Sequence, residues 1–179
     1  TGRFPIGLMR LAGPVNYTGL DVRLSSIQWC KRYIERRNPD YHFEHIDVAN
    51  ARSNKTGKQI EENFRFNVDD ESIDIICLFG VFTNVEADVV RIYLHEMNRI
   101  LAGGGKVYFT AFVEENVPDV AINPEGYLFD EFIGPLNVVR FEKNYIFSLI
   151  SDAGLILDEF IYGTEFDGQS EFYLSKPTN

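Results

Sequence analysis

The sequence predicts an α/β fold: a mostly parallel sheet flanked by helices and closed by an antiparallel hairpin. Three observations carry this. Strand-like and helix-like stretches alternate along the chain. The run SIDIICLFG (72–80) is apolar on both faces, as in a central parallel strand. The last two strand-like runs are joined by GTEFDG, which leaves no room for a helix and forces an antiparallel pair.

Each element has its own reason. VNYTGLDV (15–22) reads as the first strand and ends at Asp21. From Leu24, apolar Ile27, Cys30 and Ile34 recur at helical spacing with basic residues between them. HFEHIDV (42–48) reads as the second strand, ending in Asp47. After a polar connection and the 72–80 strand, Val90, Tyr93, Leu94, Met97 and Leu101 share one helical face. Glu86 and Asp88 lie in its first turn, where the helix dipole favours acids. AGGG (102–105) is expected to stop that helix, because glycine readily takes the left-handed conformation a helix end needs. KVYFTAFV (106–113) is the next strand. Ile146, Leu149, Ile150 and Ala153 mark a further helix, with Gly154 placed to end it. LILDEFIY and SEFYLSK close the chain as the two hairpin strands.

The 179 residues fit one domain, 1–179, and 45% apolar content gives it a sizeable core. No apolar run reaches the ~18 residues of a membrane span. Seventeen Lys and Arg against 27 Asp and Glu leave a formal charge of −10, which argues against nucleic acid and anionic membrane as partners. KRYIERR (31–37) is the one basic run and reads as a solvated helix face. The two cysteines, Cys30 and Cys77, form no CxxC pair, and His42, His45 and His95 lack metal-ligand spacing. No metal is expected, and a reducing cytoplasm is the expected location.

In open α/β sheets, ligands bind outside the carboxyl ends of the strands. Three such ends matter here: Asp21, Asp47 and the Phe79–Gly80 corner. An acid at the first can accept from two ribose hydroxyls, and an acid at the second from an exocyclic amine. Val22, Val48 and Phe82 could then face a flat base. Each acid alone would serve equally well as a cap or turn residue.

The order of GLDV, HIDV, SIDIICLFGVFTNV, LHEMNRILAGGGKVYFT and the terminal hairpin resembles the class I S-adenosylmethionine-dependent methyltransferases. The combination VFTNV…YLHEMNRILAGGG resembles the small bacterial ubiquinone- and menaquinone-type group. The resemblance implies a Rossmann-like methyltransferase sheet with S-adenosyl-L-methionine as cofactor. It implies Asp21 at the ribose, Asp47 with Val48 at the adenine, and Val22, Phe79, Gly80 and Phe82 lining the cofactor. Gly2, in TGR, would be the tail of the family's glycine-rich loop. The family's central first strand, which carries most of that loop, is missing from the pattern, so a longer natural chain is expected.

The same resemblance makes residues 114–140 the variable acceptor or lid segment, with Tyr127, Phe129 and Phe132 as acceptor-binding candidates. The acceptor is expected to be a small molecule: a sugar, a lipid or a secondary metabolite. Relatives often carry His where Asn84 stands. Asn84 could orient a substrate or cap the next helix, but it cannot act as a base. Glu114, Glu115 and Asp130 are the nearest acids that could. A nicotinamide-dependent oxidoreductase is the rival enzyme, but no Tyr-x-x-x-Lys occurs. A DNA base methyltransferase would show Asn/Asp-Pro-Pro-aromatic where FGVFTN stands. The rival of another class is a non-catalytic interaction module on the same fold.

Overall fold

The computed structural model describes residues 2–11, 15–129, 134–163 and 168–178. The chain forms two compact units, Thr1–Ile60 and Glu61–Asn179. The fold is α/β and Rossmann-like, with parallel strand pairs and antiparallel elements, as the sequence predicts.

The first unit contains α1 (Arg3–Leu11), β1 (Tyr17–Asp21), α2 (Leu24–Tyr33) and β2 (Tyr41–His45). β1 and β2 pair in parallel, from Tyr17 beside Tyr41 to Asp21 beside His45. Ile27 and Cys30 of α2, with Ile34 just past its end, pack on Tyr41 and Phe43, with Ile6, Met9 and Tyr17 against them. The helical spacing read from the sequence is thus the core stripe of this unit. α1 has no counterpart in the sequence-based expectation. Gly2 leads into it with φ +70°, and a Cβ there would lie 2.7 Å from the Trp29 ring. Only glycine fits that position.

β2 stops at His45, so Asp47 lies two residues past the strand, on a loop, rather than at its last position. The loop is tied by asparagines. Asn50 Oδ1 accepts from the Arg52 and Ser53 amides at 3.0 and 2.8 Å, an Asx turn. Asn54 Nδ2 donates to Asp47 Oδ1 at 3.2 Å and to the Val48 carbonyl at 3.1 Å.

The second unit holds β3 (Ile73–Leu78), α3 (Ala87–Ile100), β4 (Leu101–Glu114), β5 (Val120–Ile122), β6 (Val139–Glu142), α4 (Lys143–Asp152), β7 (Ile156–Ile161) and β8 (Gln169–Ser175). β4 organises the sheet. One edge pairs in parallel with β3 up to Leu78 beside Phe109, and then with β6 from Phe112 beside Arg140. The other edge pairs antiparallel with β8, which pairs antiparallel with β7. β5 and β6 add a short antiparallel pair that begins inside the segment expected to be a lid, 114–140, and runs just past its end. Phe109 and Phe172 stack at 4.4 Å in the core, with Leu94, Met97, Ile146 and Ile150 fully buried.

Two expectations are corrected here. β3 is not buried on both faces: among the described residues it pairs with β4 alone, and Ile75 is 69% exposed. The glycines of AGGG do not cap α3. The helix ends in Leu101, extended at φ −72° and ψ 130°, and the left-handed residue is Gly104, already inside β4. Gly154 does take the left-handed conformation (φ +77°) just after α4. At the other end of α4, Glu142 accepts from the Tyr145 amide at 3.0 Å. Glu142→Ala is expected to lower stability by about 1 kcal/mol, as for other lost N-caps, read as a lower urea midpoint with unchanged slope.

Candidate functional site

In the first unit, the pairing of β1 with β2 sets the two acids at the carboxyl ends of neighbouring parallel strands. Asp21 is the last residue of β1, and its carbonyl accepts from the Ile46 amide at 3.1 Å, one residue before Asp47. Asp21 Oδ1 accepts from the Arg23 amide at 2.8 Å. That contact turns the chain into α2 and fixes the carboxylate, leaving Oδ2 for a further donor. It is the local role that an Asp between strand and helix plays on its own. His45 Nε2 donates to the Val22 carbonyl at 3.0 Å and pins the turn to β2. Val22 is half-buried and Asp47 exposed, whereas Val48 is buried at 5% exposure. The Val48 side chain therefore belongs to the interior, and a ligand at Asp47 would meet the loop backbone beside it.

In the second unit, the chain leaves β3 through Phe79 and Gly80. Phe79 is 54% exposed, with its ring 5.3 Å from Tyr108. Gly80 is left-handed (φ +62°), and its amide donates to Thr110 Oγ1 at 3.1 Å. Thr110 Oγ1 donates onward to Gln169 Oε1 at 2.8 Å. Thr83 Oγ1 donates to the Gly80 carbonyl at 2.8 Å and accepts from Asn84 Nδ2 at 2.7 Å. The corner is thereby stapled to β4 and β8. Phe82 is fully buried, edge-on to Phe109 at 4.8 Å, so its ring is core. Asn84 does not cap α3, whose N-cap is Glu86; its amide belongs to the corner network instead.

The 114–140 segment is anchored rather than loose where it is described. The Tyr127 ring lies edge-on to Phe112 at 5.8 Å, and the Arg140 guanidinium sits 5.6 Å from its centroid. Arg140 is ion-paired with Glu114 at 2.7 Å. Burial pushes the Tyr127 phenol up to about 12, so it stays protonated and can donate a hydrogen bond. Of Phe129 only the backbone turn is described, and Phe132 and Asp130 lie outside the described residues.

Neither remaining acid is poised as a base. Glu114 is held by Arg140. Lys143 and then Tyr162 hydrogen-bond to Glu115 and hold its carboxyl below the ordinary range. Burial raises both thiols, Cys30 and Cys77, which disfavours the thiolate at each. Among the described residues, no group of His, Cys, Asp or Glu is arranged to hold a metal ion.

Thr83, Thr110, Asn54 and Arg140 escaped the sequence reading. A polar Thr inside the apolar run YFTAF, and the spacing N-x-x-x-N-x-x-G over residues 50–57, were the available signals. At Gly57 a Cβ would come within 2.7 Å of the Val48 and Ala49 backbone, which explains that glycine.

A parallel strand pair with an acid at or just past each strand end, a glycine corner after the following strand and an antiparallel terminal hairpin belong to the class I methyltransferase fold. The model of a family described as a methyltransferase domain matches residues 1–109, more than half of the chain. The chain belongs to that family, and its cofactor is S-adenosylmethionine.

Solved structures agree with the fold. A chain of the Haloferax volcanii complex between the Trm112 methyltransferase activator and a methyltransferase is similar at 19% identity and a TM-score of 0.68, covering 99% of this chain and 78% of that one. A SAM-dependent methyltransferase of Methanosarcina mazei gives 16% identity and 0.58, covering 90% and 82%. The 1,6-didemethyltoxoflavin-N1-methyltransferase of Burkholderia thailandensis, with bound 1,6-didemethyltoxoflavin and S-adenosylhomocysteine, gives 12% and 0.63, covering 98% and 67%. At these identities the likeness is one of fold.

Proposed function

We propose that this chain transfers the methyl group of S-adenosylmethionine to a small-molecule acceptor in the cytoplasm. The observation that carries the reading is the pair of acids, Asp21 and Asp47, at the ends of adjacent parallel strands. Asp21 accepts from the ribose hydroxyls through the oxygen its turn leaves available. Asp47, exposed and steadied by Asn54, accepts from the adenine amino group. Gly2, Val22, Val48, Phe79, Gly80 and Phe82 complete the cofactor assignment, with Val48 and Phe82 acting from the interior as supports.

The bound cofactor supplies an activated methyl group on a sulfonium sulfur. The protein's part is then alignment of the acceptor with that carbon. In the 114–140 segment, Tyr127, Phe129 and Phe132 select the acceptor, Tyr127 as a protonated donor. Asn84 orients the nucleophile. Glu114 and Glu115 are both occupied by cations, which supports an acceptor atom that needs no strong base, such as an amine or an acidic hydroxyl or carbon. VFTNV…YLHEMNRILAGGG supports a place in the small quinone-type branch, and the neighbour with bound 1,6-didemethyltoxoflavin supports an acceptor of small-molecule size.

The test is calorimetric titration with S-adenosylhomocysteine, followed by incubation with methyl-tritiated cofactor and a panel of small amines, phenols and quinols. Saturable binding and label in one acceptor are expected. Binding without turnover on any acceptor would favour the interaction-module alternative, and absence of binding would overturn the reading.

A further inference from the structure

The formal charge of −10 conceals a division. Residues 1–60 carry ten Lys and Arg against five Asp and Glu, a net of +5, and residues 61–179 carry seven against 22, a net of −15. The positive charge is concentrated. From Arg23 to Arg37 the exposed side chains include Arg23, Lys31, Arg32, Arg36 and Arg37 and no acid. The one acid in that span, Glu35, turns inward and accepts from the Phe43 amide at 3.0 Å. Among the described residues, no ion pair engages Lys31, Arg32, Arg36 or Arg37. Gln28, Lys31, Arg32 and Arg36 line one shallow depression.

Two aromatic side chains stand on the same helix. Trp29 and Tyr33 are 40% and 41% exposed, although Ile27, Cys30 and Ile34 already satisfy the core-facing side of α2. Their rings pack on each other at 5.1 Å, and the Arg32 guanidinium covers Tyr33 at 5.3 Å. Leu24 is exposed at the start of the helix.

We propose that the exposed basic face of α2, with Arg36 and Arg37 just past its end, attaches the protein to an anionic lipid surface. A cluster of Lys and Arg on one helix face, beside exposed Trp and Tyr, combines electrostatic attraction with side chains suited to the headgroup region. No described helix is long and apolar enough to cross a membrane, so the attachment is peripheral. Nucleic acid is the rival polyanion. Base stacking needs an open ring face, and here the Trp29, Tyr33 and Arg32 groups cover one another. The inference does not rest on the methyl-transfer reading.

The test is co-sedimentation of the whole chain with vesicles of phosphatidylcholine alone or mixed with phosphatidylserine. Binding to the mixed vesicles only, falling steeply with added salt, is expected. The variant K31Q/R32Q/R36Q is expected to partition about 100-fold more weakly, and W29A/Y33A more weakly at unchanged salt dependence. Circular dichroism checks that both variants fold; if one does not, the salt dependence of the unaltered chain decides. Equal binding to neutral and mixed vesicles overturns the proposal, as does undiminished binding by the folded triple variant. A single-stranded oligonucleotide bound by the chain, with no vesicle association, transfers the face to nucleic acid.

Discussion

Asp21→Ala will weaken S-adenosylhomocysteine binding by at least about 100-fold while leaving the fold in place. The carboxylate makes charge-assisted hydrogen bonds to two ribose hydroxyls in the proposed complex, each worth about 1.5–3 kcal/mol. Asp21→Asn keeps an acceptor oxygen but not the charge, and is expected to lose about tenfold. The structural loss is small, since the Asp21 side chain is fastened by the one Arg23 amide contact at 2.8 Å. Calorimetric titration reads the affinity, and a thermal melt reads the fold. Unchanged affinity in Asp21→Ala would mean that this acid serves only its turn.

Arg99→Ala will lower the stability of the second unit by about 3 kcal/mol, as when one partner of a buried pair is removed. Arg99 closes a network over the irregular stretch before β3. It pairs with Glu96 at 2.7 Å and with Asp70, and donates to the Phe66 and Val68 carbonyls at 3.1 and 2.9 Å. Glu96, only 7% exposed, accepts from the Phe66 amide at 2.8 Å. Phe64 and Phe66 then pack on Tyr93. Without the guanidinium, Glu96 is a buried charge with one partner.

The pH dependence has a definite sign. Burial pushes the Glu96 carboxyl up, but Arg99 and the Phe66 amide outweigh it, and the folded value lies below the ordinary one. The Arg99 contact holds Asp70 low as well. Both groups contribute stability above their unfolded pKa values, and that contribution is lost as pH falls through the folded ones. The gap between wild type and Arg99→Ala should therefore be largest near neutral pH and shrink below the carboxylate range. Urea unfolding at both conditions measures it, and a gap independent of pH would refute the account.

Much of this molecule is legible from pattern. Ile27, Cys30 and Ile34 announce α2, and the short GTEFDG link forces the β7–β8 hairpin, because both depend on local spacing. The two acids are legible because each closes an apolar run, although β2 stops short of Asp47. α1 is hidden because Pro5 and Gly7 interrupt RFPIGLMRL and weaken its helical signal. β5 has three residues and β6 four, too few for alternation to stand out. The Arg99 network joins residues about thirty positions apart, and such polar contacts leave no periodic trace. The basic face of α2 was legible as KRYIERR, but the division of charge behind it was not, because a sum over the whole chain averages a basic unit with an acidic one.

The length of β4 has a consequence for how such enzymes diversify. The family match ends at residue 109, the last position at which β4 pairs with β3. Three residues later the same edge is taken by β6, which closes the segment proposed to hold the acceptor. One continuous strand thus pairs with β3 in its first half and with β6 in its second, where three residues of each strand are matched. Exchange of the segment between β4 and β6 for one from a relative would leave the ladder from Lys106 to Phe109 untouched. If that segment holds the acceptor, as proposed, the geometry is that of a tool holder: a new head can be clipped to one half of β4 while the other half keeps its register.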